Sequence, residues 1–250
     1  LLAHRGGIYA VRWSSDGKLL ASSSQDKSVK IWNAKTGELF QNLRHHTERV
    51  WGIAFSPDNK VIASVGNDNT VRISDVQAGP ELNSLRAHGD WVTGVTFTPD
   101  GKSILSCGKR GKIIQWKYPL GIKQREMTGH TAWVNSVVVT SDGKYFATSS
   151  DDRTVRIWSL ATGKQVRIFY TNAEVFAIDI SRDGKQLLIG DGNQVLLLPI
   201  NLDWKCPDPV TELEEAKSAA GMVMKGFKLQ LSDGVVAPPP TKGKPNGNKK

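Results

Sequence analysis

The sequence lacks most of the residues and motifs on which disulfide-rich domains, metal sites and membrane proteins depend. It has two cysteines in 250 residues, Cys107 and Cys206, and neither lies in a C-x-x-C or C-x-x-C-H spacing. We therefore expect no disulfide framework, zinc site or haem attachment, and we expect both thiols to be reduced. No apolar run approaches the ~18 residues that would span a membrane, and the first residues show no secretory-signal pattern. A soluble protein is expected.

Motifs of catalysis and cofactor binding are also missing. The chain contains no GxGxxG, P-loop, H-E-x-x-H or G-x-S-x-G motif. The stretch "GDGNQV" at 190–195 is rich enough in glycine and acid to suggest calcium, but its position predicts a hairpin turn. The sequence therefore predicts no cofactor, no metal site and no catalytic site.

The net charge of +9 raises the question of nucleic-acid binding. Such binding requires Lys and Arg residues clustered on one surface, because they must replace the counterions of a phosphate backbone. Here the basic residues are spread along the chain, and only the final "TKGKPNGNKK" concentrates them. We therefore expect nucleic-acid or membrane-surface binding through this tail to be the less favoured alternative.

What the chain does contain is a repeat of 42 residues. Four series of residues share this spacing: Trp32, Ser74, Trp116 and Trp158; His4, His46, His88 and His130; Gly37, Gly79, Gly121 and Gly163; and Asp16, Asp58, Asp100 and Asp142. A fixed period of ~40–45 residues is typical of arrays in which each repeat is one small sheet. Single motifs must therefore be interpreted as repeat positions.

Each repeat is predicted to form four short strands. In the fourth repeat, "WVNSVVVT", "YFATSS", "VRIWSL" and "QVRIFY" are strand-like and are separated by "SDGK", "DDRT" and "ATGK". Asp-Gly and Thr-Gly supply residues that tolerate the positive φ of tight hairpins, and the flanking runs alternate between apolar and polar residues. The repeat is therefore expected to be an antiparallel meander, which must stack against its neighbours to bury its faces.

These motifs resemble the WD-repeat (WD40) family. The resemblance rests on a His in a turn, a Val-rich strand, turns such as "TPDGK", the run "ATSSDDRTVRIW" and the turn "ATGK"; it is strong over residues 1–170 and weak over 171–200. It implies an all-β β-propeller of four-stranded antiparallel blades. No repeat contains the Trp-Asp pair that names the family, since the four positions read Trp32-Asn33, Ser74-Asp75, Trp116-Lys117 and Trp158-Ser159.

The resemblance sets the expected domain organisation. Residues 1–204 are predicted to be the propeller, with repeats at about 4–45, 46–87, 88–129 and 130–170 and a degenerate repeat at 171–204. Residues 205–234 are predicted to be an extension with a short helix at 211–220 and a possible strand at "FKLQLS", and 235–250 a disordered Pro/Gly/Lys tail. Because such propellers usually have seven blades, we expect these five to be the C-terminal part of a larger ring. Missing N-terminal blades or a partner chain would close that ring.

By resemblance, each blade carries a structural tetrad of His, Ser/Thr, Asp and Trp. Two tetrads are complete: His4, Ser22, Asp26, Trp32 and His130, Thr148, Asp152, Trp158. Two are incomplete: His46, Ser64, Asp68, with Ser74 in place of Trp, and His88, Ser106, Trp116, with Arg110 in place of Asp. The set resembles a nucleophilic triad, but a triad needs an exposed hydroxyl beside an oxyanion hole, so a structural role is predicted.

A partner-binding surface is predicted at the end of the blades that carries the tetrad His loops. The residues are Tyr9, Gln25, Arg49, Trp51, Asn67, Trp91, Lys109, Trp133, Asn135, Asp151 and Phe176. Aromatic and Arg side chains are common interface hot spots, although some of these rings could pack only between blades. The expected function is a protein-interaction scaffold that binds other proteins or peptides. The alternative is a sensor or substrate-recruiting domain of a larger enzyme, and a cytoplasmic or nuclear location is expected.

Overall fold

The structure is a computed structural model that describes residues 4–200. The predicted helix at 211–220, the predicted strand "FKLQLS" and the predicted tail at 235–250 lie outside these residues. Between residues 4 and 200, no helix is long or apolar enough to cross a membrane.

The described residues form nineteen β-strands and one single-turn 3₁₀ helix, Lys109–Gly111. In chain order the strands are β1 (Ile8–Trp13), β2 (Leu19–Ser24), β3 (Val29–Asn33), β4 (Leu39–Leu43), β5 (Val50–Phe55), β6 (Val61–Gly66), β7 (Val71–Asp75), β8 (Glu81–Leu85), β9 (Val92–Phe97), β10 (Ser103–Gly108), β11 (Ile113–Lys117), β12 (Ile122–Met127), β13 (Val134–Val139), β14 (Tyr145–Ser150), β15 (Thr154–Ser159), β16 (Gln165–Tyr170), β17 (Val175–Ile180), β18 (Gln186–Asp191) and β19 (Gln194–Pro199).

The strands form five separate antiparallel sheets, which are the blades of a β-propeller. Four sheets have four strands in sequence order, and the fifth has three described strands, β17 to β19. The first strands of successive blades lie next to one another, so they are the innermost strands. The predicted all-β propeller is confirmed. The four strands predicted for the fourth repeat correspond to β13–β16.

The turn between the first two strands of each blade is fixed by a hydroxyl, an acid and a residue with positive φ. In the first blade the Ser14 hydroxyl donates to the Asp16 carboxylate (2.7 Å), which also accepts from the Lys18 N–H (3.1 Å). Gly17 has φ +69° and Asn59 takes the same role in the second blade with φ +59°. Both residue types tolerate this left-handed conformation, which closes a tight hairpin.

The core consists of four apolar clusters, each formed between two neighbouring blades. We call the side of a blade that packs against the next blade its trailing face, and the side that packs against the previous blade its leading face. In the first interface, Val29 and Ile31 of the first blade's trailing face pack with Val50 and Ile53 of the second blade's leading face. The other three clusters follow the same scheme. The blades are therefore held together by apolar burial between sheets.

The innermost strand of every blade carries a β-bulge near its first residues. The pairing register shifts at this point in all five blades, and the extra residues are Tyr9, Trp51, Thr93, Asn135 and Phe176. A bulge re-aims a side chain and commonly lies near a functional site. Four of these five positions belong to the predicted partner-binding surface.

Candidate functional site

The two complete tetrads form continuous hydrogen-bonded chains. In the fourth blade the Trp158 indole N–H donates to the Thr148 hydroxyl (2.8 Å), which contacts His130 Nε2 (2.8 Å). His130 Nδ1 lies 2.8 Å from Asp152 Oδ2. In the first blade the equivalent distances are 3.1 Å from Trp32 to Ser22, 2.8 Å from Ser22 to His4 and 3.0 Å from His4 to Asp26.

The geometry of these chains does not suit nucleophilic catalysis. A triad hydroxyl must reach a substrate, whereas Ser22 and Thr148 are buried in the second strand of their blades. Each hydroxyl also accepts from an indole N–H, which occupies one of the two lone pairs of its oxygen. The chain instead satisfies four buried polar groups in turn, and such a network stiffens the blade that contains it.

A second hydroxyl, which the sequence reasoning missed, completes the network. It belongs to the residue two positions after the acid: Ser28 donates to Asp26 (2.5 Å), Thr70 to Asp68 (2.7 Å) and Thr154 to Asp152 (2.6 Å). The signal in the sequence was the Ser or Thr that follows each tetrad acid at this fixed spacing.

Because of these contacts the tetrad acids remain ionised. Burial by itself would raise the pKa of Asp152. The hydrogen bonds from His130, Thr154 and the Thr131 N–H outweigh burial and hold this pKa well below its ordinary value. The pKa of Asp26 is lowered in the same way, against the opposing effect of burial, by Ser28, the Arg5 N–H and His4.

The second blade keeps the His–Ser–Asp chain without a tryptophan. His46 lies 2.8 Å from Ser64 and 2.9 Å from Asp68, while Ser74 is buried at the Trp position. Arg72, a buried side chain on the same strand, donates to Asp68 (3.4 Å) and also to Glu81. This blade therefore places a guanidinium beside its acid in addition to the imidazole.

The third blade has the tryptophan but no acid. The Trp116 indole donates to Ser106 (2.7 Å), and Ser106 contacts His88 Nε2 (2.7 Å). Arg110 stands at the acid position, but it has φ +68° and its side chain donates outward to Asp90 (3.1 Å).

His88 is consequently left without an anionic partner. Among the residues that the structure describes, nothing accepts from or donates to its Nδ1. Burial, and then the nearby charge of Lys112, lower the pKa of His88 to about 4. The imidazole is therefore neutral at physiological pH.

Backbone hydrogen bonds connect the predicted turn residues to the entry of the innermost strands. The turn residue at the position before the tetrad acid donates its N–H to the carbonyl of the residue just before the innermost strand. The pairs are Gln25 to Gly7 (2.9 Å), Asn67 to Arg49 (2.9 Å), Lys109 to Trp91 (3.0 Å) and Asp151 to Trp133 (3.0 Å). These bonds place both sets of predicted residues on the face that carries the His loops, which we call the His-loop face.

Aromatic rings from neighbouring blades meet on the His-loop face. Tyr9 and Trp51 of the first two blades have ring centroids 4.1 Å apart. Trp91 and Trp133 of the third and fourth blades form an edge-to-face pair at 5.3 Å. The Lys109 ammonium lies 4.8 Å from the Trp91 ring centroid and 5.2 Å from that of Trp133. A cation shared by two rings gives this part of the face a fixed shape.

Side chains of several surface candidates are fixed by hydrogen bonds, and one of these bonds joins two blades. The Asn135 amide donates to Asp151 (2.6 Å) and to the Val175 carbonyl of the next blade (3.0 Å), and the Trp51 indole donates to Asn67. The predicted residues that are classed as exposed are Tyr9, Gln25, Arg49 and Phe176. The His-loop face thus combines exposed side chains with partly buried rings that are fixed between blades.

The opposite end of the innermost strands surrounds a cavity of about 620 Å³ that has a mixed polar and apolar lining. Its walls include Phe55, Phe97 and Val138, with Arg12 and Asp179 from the first and fifth blades. No group of three or more His, Cys, Asp or Glu residues suited to a metal ion occurs within residues 4–200.

A family model described as "WD domain, G-beta repeat" matches four segments, residues 1–33, 37–75, 79–117 and 121–159, which together cover more than half of the chain. From the second segment onward, each match begins at or beside the fourth strand of one blade and ends with the third strand of the next. Sequence repeats and structural blades are therefore offset by one strand. Each of these later matches accordingly covers parts of two consecutive blades.

Curated relatives match short parts of the chain. WD repeat-containing protein 1 of Xenopus tropicalis is 46% identical over 46 residues, 18% of this chain and 8% of the relative. Nuclear distribution protein PAC1 of Arthroderma benhamiae is 44% identical over 55 residues, 19% of this chain and 12% of the relative. The U5 small nuclear ribonucleoprotein 40 kDa protein of Dictyostelium discoideum is 34% identical over 47 residues, which are 19% of this chain and 13% of the relative. The chain thus spans about a tenth of the length of these relatives.

Proposed function

This chain belongs to the WD40 repeat family of β-propellers, and on that premise we propose that it is a non-catalytic scaffold that binds partner proteins or peptides through its His-loop face. The relatives carry the names of a nuclear distribution protein, a ribonucleoprotein component and an F-box-like protein. What such different proteins share is the repeat, which supports a role in binding over a common reaction.

The observation that carries the proposal is the composition of the His-loop face. It presents aromatic and Arg side chains at the start of each described blade, and edge-to-face packing and a shared cation hold two of the tryptophans in place. Rigid aromatic residues provide contact area at a low cost in conformational entropy, and residues of this type dominate interface hot spots. A rigid face with such anchors suits the binding of an extended peptide.

Three substitutions test the proposal: Arg49→Ala, Trp91→Ala and Lys109→Glu. Each is expected to weaken binding of a partner that co-purifies with the chain, as measured by titration. Arg49→Ala is the most informative of the three, because Arg49 is exposed and its side chain is not part of the ring contacts. Loss of a hot-spot side chain typically costs 2 kcal/mol or more, or roughly thirtyfold in affinity.

Asp58→Asn, in a hairpin turn on the opposite face, is the matched control and should bind normally. Gly163 lies in another such turn but suits the control less well, because its φ of +71° and a Cβ contact of 2.8 Å with Arg125 would strain any replacement. Thermal melts accompany each titration. Normal binding by all three variants, or loss of binding only in variants that unfold, would show that the His-loop face is not the functional surface.

A further inference from the structure

A groove of about 530 Å³ lies between the third and fourth blades, on the face opposite the His-loop face. The third blade contributes the turn after β9, the end of β11 and the outer strand β12 to its walls. The fourth blade contributes the turns that follow β13 and β15. Four-stranded blades lie on both sides of the groove, which we call the interblade groove.

Lys102, in the turn after β9, provides the first positive charge of the interblade groove. At the same place in the first, second and fourth blades, Lys18, Lys60 and Lys144 pair with the acid two residues earlier, at 3.6, 3.9 and 3.6 Å. Lys102 is exposed and forms no salt bridge within residues 4–200, although Asp100 occupies the place of that acid. Its ammonium is therefore available to a ligand.

Lys117 brings a cation to a place where the other four-stranded blades carry a hydrogen-bond acceptor. The third strands of these blades end in Asn33, Asp75 and Ser159, whose side-chain oxygens accept N–H groups of the following turn. Lys117 takes this position in the third blade, where it is exposed. A lysine cannot accept a hydrogen bond, so its side chain adds positive charge to the groove without capping the turn.

Arg125 on β12 provides the third cation. Its guanidinium donates to the Ala161 carbonyl of the fourth blade (2.9 Å), which holds the side chain across the interblade groove. Asp100 is the one acid of the lining, and its carboxylate already accepts from the Thr98 hydroxyl (2.6 Å) and the Lys102 N–H (3.0 Å). Three cations therefore face a single carboxylate that its own turn occupies.

The interblade groove also has an apolar wall. Ile122, at the start of β12, is 58% exposed, and Leu160 from the fourth blade is partly buried beside it. The corresponding positions of the first, second and fourth blades carry Glu38, Pro80 and Lys164 in place of Ile122. The exposed isoleucine is thus specific to the blade that also carries the additional lysine.

We propose that the interblade groove binds a short acidic peptide segment of a partner protein. Its carboxylates contact Lys102, Lys117 and Arg125, and one of its aliphatic side chains packs on Ile122. Complementary charge selects the acidic residues, and burial of the aliphatic side chain adds affinity. The lining contains no aromatic ring on which a base could stack, which favours a peptide over a nucleic acid.

Two substitutions test the two parts of this site. Lys117→Glu reverses a charge, and Ile122→Ser removes the apolar contact; both side chains are exposed, so folding should be unaffected, which thermal melts verify. Lys35→Glu and Leu39→Ser are the matched controls. They make the same kinds of change at exposed positions of the first blade, outside the groove.

The measurement is the fluorescence anisotropy of a labelled peptide pool, in which a leucine is flanked on both sides by Asp or Glu, titrated with the 250-residue chain. We expect the wild type and both controls to bind this pool, with an affinity that falls as the salt concentration rises. Lys117→Glu and Ile122→Ser should each bind roughly tenfold more weakly. A matched pool with Asn and Gln in place of Asp and Glu should not bind.

The site is separate from the His-loop face, so Arg49→Ala should bind the acidic pool normally, and the two proposals can fail separately. Three outcomes would overturn the present one. The wild type could fail to bind the acidic pool, or Lys35→Glu could weaken binding as much as Lys117→Glu, which would make net charge the cause. A single-stranded oligonucleotide could displace the pool at equal concentration, which would mean that the groove recognises polyanions in general.

Discussion

At the scale of single residues, the histidine networks convert a set of buried polar groups into a stabilising feature. Trp158 is 2% exposed, it stacks on Phe146 at 6.0 Å, and its indole N–H is the donor to Thr148. Burial of the ring and satisfaction of the hydroxyl therefore depend on one side chain. The resemblance to the WD-repeat family predicts this dependence.

Trp158→Ala is expected to destabilise the protein by about 3–5 kcal/mol, because it removes a buried ring and leaves the Thr148 hydroxyl without its donor. Tyr170→Ala is the control in the same blade, since Tyr170 is 56% exposed, and it should cost less than about 0.5 kcal/mol. Denaturant melts of both variants measure the difference. Equal midpoints for Trp158→Ala and wild type would contradict the structural role of the tetrad.

His88 makes the stability of the protein depend on pH in a defined window. Because burial lowers the pKa of His88 from 6.5 to about 4, the unfolded chain binds more protons than the folded chain between these values. Stability from this residue is complete above about pH 6.5 and is lost as the pH falls towards 4. The loss at pH 4.5 amounts to about 2–3 kcal/mol.

His88→Gln should remove this dependence, because an amide does not titrate in that range and can still bond to Ser106. The measurement is the free energy of unfolding at several pH values between about 7 and 4.5. We expect the variant to be less stable than wild type at pH 7 but to have a flatter profile. Parallel profiles for the two proteins would show that His88 is not the titrating group.

At the scale of structural elements, the bulged innermost strands of the third and fourth blades link each of these blades to the next through side chains as well as through apolar burial. Thr93 donates to the Val134 carbonyl, and Asn135 donates to the Val175 carbonyl. Both donors occupy the extra position of the bulge, which turns the side chain towards the following blade. In these two blades the bulge therefore allows a side chain of one sheet to form a hydrogen bond with the next sheet.

Asn135→Ala is expected to loosen the fifth blade, because the Val175 carbonyl loses a donor in a buried position. The loss should be about 1 kcal/mol, with faster amide exchange confined mainly to β17. Asn42→Ala, at an exposed position on the outer strand β4, is the control. Unchanged exchange in Val175–Ile180 would show that the amide is dispensable, and Asn135 would then be free to act only in partner binding.

The sequence predicts elements better than it predicts side-chain directions. The 42-residue spacing and the Asp-Gly turns determine the strands, since each depends on local chemistry that repeats four times. The conformation of Arg110 was not predictable, because spacing places it at the acid position while its positive φ directs the side chain to Asp90. The second role of Asn135 was missed because a bulge changes which side of the strand a residue faces.

At the scale of the whole molecule, the five described blades form a linear series of similar units with nearest-neighbour interfaces. Blades two to four are each held by two apolar clusters, whereas the first and fifth are each held by one. In such arrays the stability of a unit is approximately its own stability plus that of its interfaces. The end blades should therefore open first.

The fifth blade should open before the first. It has no tetrad histidine, whereas the first blade has the complete set from His4 to Trp32. We expect amide exchange to be fastest in β17–β19, intermediate in β1–β4 and slowest in β5–β12, when followed by mass spectrometry on the 250-residue chain. The free energies of opening should differ by several kcal/mol, because each missing interface removes the burial of several aliphatic side chains. Uniform protection across the five blades would contradict the linear series and would mean that the first and fifth blades are covered as fully as the others.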